Sequence, residues 1–258
     1  MLRRNFLRSI VGVVFASLAG LRAGRVHAGD PLRFDHGVAS GDPLCDGFIL
    51  WTRVSGADQG SLPVRWLVAS DPDMKRVLRH GIAWTDDWSD YTVKADVRGL
   101  PAGSTFYYRF EINKARSPVG RTRTLPVGAV AGAGFAVASC SNHPAGYFNV
   151  YRDIAREDDL DAVIHLGDYI YEYGMGQYAT EHAESLGRIP EPAGEVTTLA
   201  DYRRRHAQYK ADPDSIAMHG KHPLIAVWDD HEIANDTWRG GAQNHQDDEG
   251  RWNDRRDA

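Results

Sequence analysis

The sequence predicts two successive architectures, an antiparallel β-sandwich followed by an α/β unit. Three observations carry this. Between Arg33 and about Pro126, short apolar or alternating runs recur between turn formers, with no strong helical period. From Gly134 onward the pattern changes to strand, helix, strand. Between them lies SPVGRTRTLPVGAVAGAG, an exit strand and linker whose Gly and Ala content places the boundary near 126–133. A chain of 258 residues, 42% hydrophobic and 25% charged, has the composition of an ordinary soluble globular protein.

The first 28 residues stand apart from the fold. A basic start, the apolar run IVGVVFASLAGL and VHA before Gly29 read as an export signal, too short and wrongly flanked for an ordinary spanning helix. RRNFLRS resembles the twin-arginine motif through Arg3, Arg4, Phe6 and Leu7. An ordinary signal with two adjacent arginines is the alternative. The resemblance implies the twin-arginine export machinery as a partner and export in the folded state. It leaves a mature chain from about Gly29, free of the membrane, in a periplasm or outside the cell. The mild net charge of −5 argues against stable nucleic-acid binding, which needs clustered Lys and Arg.

Within the region 29–126, FDHGVASGD, DGFILWTRV, PVRWLVAS, YTVKADVRGL and TFYYRFEI read as strands. Gly41-Asp42-Pro43, Ser70-Asp71-Pro72-Asp73 and Pro101-Ala102-Gly103 read as turns between them. VRGLPAGSTFYYRF resembles the late strands of a fibronectin III-like module. Within 133–258, GFAVASC is a short apolar strand and PAGYFNVYRDIAREDD a helix. Pro144 is tolerated in its first turn, and Tyr147, Val150, Tyr151 and Ile154 share a face. LDAVIHLGD is the next strand, which makes a right-handed parallel βαβ unit. After a polar loop, roughly 174–197, LADYRRRHAQYK forms a helix with Thr198 as N-cap. A short helix near 212–220 then leads to the strand PLIAVWDDHE.

Sites in open α/β sheets lie beyond the carboxyl ends of the strands. Three strands here end in Cys140, Asp168 and the run Asp229-Asp230-His231-Glu232. Asp168 follows Gly167 and can bridge two cations or cap a turn. Tyr171 can be a half-buried aromatic. It can also be a phenolate ligand of a strong Lewis acid, if a helical turn begins at Asp168. Cys140 is open among a buried apolar residue, a disulfide with Cys45, and a thiolate that suits iron better than calcium or magnesium. The four residues from Asp229 cannot all be buried uncompensated, so at least one is expected to meet a cation. His165 inside its strand reads as a hydrogen-bonded core histidine. His219 and His222 lack helical zinc spacing. Arg203, Arg204 and Arg205 read as a solvated helix face.

GDYIYEYG, LADYRRRHAQYK, VWDDHEIANDTW and GAQNHQDDEGRW together resemble the PhoD-type alkaline phosphatases and phosphodiesterases of the metallophosphoesterase superfamily. FDHGVASGDP and FILWTRV resemble that family's N-terminal domain. The resemblance implies a fibronectin III-like β-sandwich followed by an incomplete α/β metallophosphoesterase domain. It also implies Fe3+ and Ca2+ as cofactors and a phosphate mono- or diester as substrate. Carried over by motif, Cys140, Asp168 and Tyr171 are iron ligands. Asp230 and His231 stand where related enzymes have a metal-contacting Asn and a His, and Asn235 is a calcium or phosphate contact. The implied reaction is attack by a metal-activated water. Asp230 holds a cation, and His231 orients phosphate or assists the leaving group.

The family's catalytic domain continues beyond the point matched by Ala258, and this sequence contains no H-x-H. The expectation is therefore an N-terminal portion with an incomplete metal site, an unpaired sheet edge and an uncovered face. The competing reading is a non-catalytic exported sandwich that binds a partner, carrying a degenerate metallophosphoesterase remnant.

Overall fold

A computed structural model describes residues 31–58 and 60–258. The expected export segment, 1–28, lies outside the described residues. Among those described, no helix is long and apolar enough to cross a membrane.

Among the described residues, eight strands make up the first half. They are β1 (Val38–Leu44), β2 (Gly47–Arg53), β3 (Leu62–Ala69), β4 (Val77–Thr85), β5 (Thr92–Val97), β6 (Thr105–Ile112), β7 (Ala115–Arg116) and β8 (Gly120–Arg123). Alternation decides which face each buries. In β6, Phe106, Tyr108, Phe110 and Ile112 point inward while the residues between them remain half-exposed. One sheet runs β4-β3-β6-β7, with β8 also paired to β6. Opposite it lie β5, β2 and β1. Val64, Val68, Phe106 and Phe110 of the first layer pack against Phe48, Leu50, Val93 and Val97 of the second. Each such side chain stabilises the fold by roughly 1.5–3 kcal/mol on burial. Strand β4 has no counterpart in the sequence reading. VLRHGIAWT interrupts its apolar residues with Arg79, His80 and Gly81, as an edge strand open to solvent allows.

The second half adds β9 (Phe135–Ala138), α1 (Asn149–Arg156), β10 (Ala162–His165), α2 (Ala183–Leu186), α3 (Leu199–Ala211), α4 (Pro213–Lys221), β11 (Leu224–Ala226) and α5 (Trp252–Arg256). Strands β9, β10 and β11 are parallel, and α1 makes the crossover between the first two. Thr198 caps α3 in a reciprocal capping box with Asp201. Asp212 caps α4, whose first residue is Pro213. The α1 region differs from expectation. Pro144 sits in a 3-10 turn, His143–Ala145, and the helix begins at Asn149. Tyr151 and Ile154 are buried, but Tyr147 and Val150 face solvent, because the later start rotates them off the inner face.

The two halves share one sheet, ordered β5-β2-β1-β11-β10-β9. Strand β1 meets β11 in parallel at Gly41 and Leu224. The linker between the halves is exposed, yet the sheet runs through the junction. Helices α1, α3 and α4 cover the face that carries Val163, His165 and Leu224. On the other face, Phe135, Val137, Ile225 and Val227 are open to solvent among the described residues.

Candidate metal centre

The parallel register aligns Ala138, His165 and Ala226 at the carboxyl ends of their strands. Cys140, Asp168 and Asp230 follow within a few residues, so the topology delivers them to one edge of the sheet. Backbone bonds fix the first two loops together: Cys140 N–H donates to Gly167 O at 3.2 Å, and Ser141 N–H to Asp168 O at 2.9 Å. Gly167 has φ +106°, and a Cβ there would lie 2.5 Å from the Asp229 backbone nitrogen, so only glycine lets these loops approach. Cys140 and Asp168, neither of them glycine, both hold positive φ, 57° and 52°. Such conformations concentrate at functional sites.

Asp168 is the centre of the cluster. Its Oδ2 lies 3.4 Å from Cys140 Sγ and accepts from the Tyr171 hydroxyl at 3.2 Å. Its Oδ1 is buried and has no hydrogen-bond partner. Ligand atoms of Asp168, Asp230 and His231 all lie within 4.8 Å of one another. Tyr171 reaches Asp168 without a helical turn. No helix forms at 166–173, and the reversal at Gly167 and Asp168 folds the ring back onto the carboxylate. The ring also packs on His231, with centroids 4.3 Å apart.

The residues around this centre hold it in place. Glu232 accepts from the backbone N–H groups of Asp168 and Tyr169, and from Asp229 at 2.8 Å, so this member of the acidic run is a loop clamp. Asp230 accepts from the Asp236 N–H, and Asp229 is exposed. Asn235 donates its N–H to Glu172 at 2.7 Å, and its side-chain amide donates to Asp236 and Gln243.

Glu172 was given no role by the sequence. It is sealed from solvent, lies 2.8 Å from His231 Nδ1, and accepts from Asn244 Nδ2 at 2.8 Å. Nδ1 is therefore engaged, and Nε2 is the ring nitrogen left for other partners. The signal that could have found Glu172 is an acid spaced four residues after Asp168 in an otherwise aromatic segment.

Arg205 corrects another expectation. It is fully buried, not part of a solvated face, and donates to the carbonyls of Tyr171, Tyr173, Glu191 and Pro192. It braces the loop that carries Tyr171 and Glu172 because those carbonyls have no strand to pair with. Arg203 and Arg204 remain at the surface. Cys45 and Cys140 are both free, and the Cys45 thiol faces Pro126 O, so the disulfide alternative is not realised. His165 is a core histidine bonded to the Tyr151 hydroxyl at 2.9 Å.

The electrostatics fit a cation. Burial, then the neighbouring Asp168 and Cys140, push the Tyr171 phenol far above its ordinary range. Only positive charge placed among these groups would make phenolate and thiolate favourable together. Burial alone would lower His231, but the Glu172 carboxylate, helped by Asp168 and Asp230, outweighs it and raises the imidazole. Burial opposes the charge on Glu172, and the bonds from His231, Asn244 and Asn235 overcome this and lower it. A thiol, a phenol and two carboxylates, with one buried oxygen of Asp168 left without a partner, make a suitable donor set for a hard or borderline metal ion.

The family profile of the PhoD-like phosphatase matches residues 135–258, and that of the PhoD-like phosphatase N-terminal domain matches residues 21–126. Alkaline phosphatase D of Bacillus subtilis (strain 168) is 41% identical over 212 residues, which is 78% of this chain and 36% of that protein. A solved structure of PhoD superposes with a TM-score of 0.77 at 37% identity, covering 84% of this chain and 42% of that one. The chain thus spans well under half the length of these relatives. Two profiles of one family, matched in order along almost the whole sequence, show that the chain belongs to the PhoD-like phosphatases.

Proposed function

We propose that this protein is an exported, metal-dependent phosphoesterase that hydrolyses phosphate mono- or diesters. In this reading a fibronectin III-like domain precedes an α/β metallophosphoesterase domain, with the boundary near 126–133. The observation that carries the proposal is the convergence on Asp168 of Cys140, Tyr171, Asp230 and His231. Cys140, Asp168 and Tyr171 would hold Fe3+. Asp168 and Asp230, with Asn235 as a further contact, would hold Ca2+. When bound, these ions supply the positive charge that draws in phosphate oxygens and acidifies water.

The chain's own groups do the rest. Glu232 fixes the Asp168 loop. Glu172 holds His231 by Nδ1 and favours its protonated form, so Nε2–H can donate to a phosphate oxygen or to the departing alkoxide. The export reading is supported by the RRNFLRS start and the apolar run after it. The competing reading of a degenerate remnant gains no support from a site whose strand-end residues still converge.

The test is phosphate release from a monoester and a diester by the full chain, with and without chelator. Asp168→Asn should lower turnover by about 100-fold or more while the thermal melt moves little. Near-normal turnover in that variant sinks the assignment.

A further inference from the structure

Behind the metal centre, where the two halves of the molecule join, lies a cavity of about 620 Å³. One wall is the face of α3 that carries Tyr202, His206 and Lys210. The opposite wall is the sandwich strands, where Trp51 of β2 and Lys94 of β5 are register partners. Of the charged residues argued above to form or clamp the metal centre, Glu232 lines it, and Cys140, Asp168, Tyr171, Asp230 and His231 do not. The volume falls within the range of small-molecule sites, which favour such junctions.

The charge lining it is unbalanced, with Asp42 and Lys94 both exposed to solvent. Asp90 is engaged by Arg53 at 2.9 Å, and Glu232 by three backbone N–H groups. Arg203 donates only to the carbonyls of Asp87 and Trp88. Lys210 is half-buried, and its one hydrogen bond among the described residues is to His219 Nε2 at 3.1 Å. Its ammonium lies 4.5 Å from the Tyr169 ring centroid and 5.4 Å from that of Trp51. Burial pulls it down to about 7, with no acidic group to offset this. The protein therefore keeps an amine between two aromatic rings with no acid beside it, and an anion that met it would favour its charged form. A buried ammonium is costly unless something anionic meets it. Lys94 is exposed and Arg203 is held by the Asp87 and Trp88 carbonyls, so Lys210 is the cation left facing the rings, and its single charge favours a carboxylate over a phosphate dianion.

We propose that this cavity is a second ligand site that takes a small aromatic carboxylate, its ring against Trp51 and its carboxylate on Lys210. The probe is 1-naphthoate, titrated calorimetrically into the full chain with inorganic phosphate present to occupy the phosphoester site. Saturable one-to-one binding with Kd below about 1 mM is expected. Both Lys210→Met and the uncharged analogue 1-naphthalenemethanol should weaken binding about tenfold or more. Absence of saturable binding, or equal affinity in either comparison, overturns the proposal. If Lys210→Met does not fold, the wild-type chain decides: naphthoate should slow acetylation of Lys210, mapped by peptide mass, and leave Lys75 unprotected. No slowing at Lys210 overturns the proposal as well.

Discussion

In the sandwich, the large side chains sealed from solvent are Phe48, Leu50, Phe106, Tyr108 and Phe110. In the α/β unit, Arg205, Arg255, His165 and His222 are sealed in beside Tyr209, Ile170 and Met218. Apolar burial is strong but non-directional, so it fixes a shape without fixing the direction of any one bond. A buried guanidinium or imidazole incurs a desolvation cost and has to find partners. Arg188 pairs with Asp212 at 2.7 Å, and Arg255 reaches both Glu195 and Glu249 at 2.9 Å. The half that holds the candidate metal centre is thus organised by directional contacts. The half that supports it is organised by volume.

Four measurements break or sharpen that contrast. The largest effect belongs to Phe106→Ala, which should destabilise the sandwich by about 4 kcal/mol in chemical denaturation and leave the pH profile of stability unchanged. Next, Arg205→Met should cost about 3 kcal/mol by stranding the carbonyls it serves, and should lower turnover as the Tyr171 loop loosens. A variant with wild-type stability would refute the directional account.

Third comes acid. Burial, helped by Arg188, lowers His143 to about 4, and burial lowers His165 to about 4. Between pH 4 and 6.5 the unfolded chain binds more protons, so these groups give their full stability above pH 6.5 and lose it as pH falls. At pH 5 the loss is about 2 kcal/mol per histidine. Among its described residues the sandwich has one such group, His36, which burial and Arg53 lower to about 4. Hydrogen exchange at pH 5 should therefore show the α/β amides losing protection first. The smallest effect is that of Glu172→Gln, which should reduce turnover about tenfold without changing the melt, because His231 keeps its place but loses the charge that aligns it.

The parts of the site that the sequence revealed are those set by topology. Cys140, Asp168 and Asp230 each close an apolar run, and parallel strands bring such endings together wherever the helices pack. Tyr171 was legible by motif, though the geometry that delivers it is a backbone reversal and not a helix turn. Glu172 and Arg205 were illegible for one reason. Whether an acid or an arginine is solvated depends on partners far away in sequence, and their neighbours give no periodic sign of burial. Strand β4 escaped because edge strands tolerate polar residues. The junction of β1 with β11 escaped because a single bridge between distant segments leaves no local pattern.

That junction has a consequence for anyone dissecting the molecule. A Cβ at Gly41 would lie 2.9 Å from Leu224 O, so the seam admits no side chain. Cutting the polypeptide at its linker would sever the chain but not the fabric. Each fragment would carry a raw selvedge of unmet amide and carbonyl groups, and would tend to aggregate through it. Co-expression, with both pieces present from the start, is the route by which separated halves would knit.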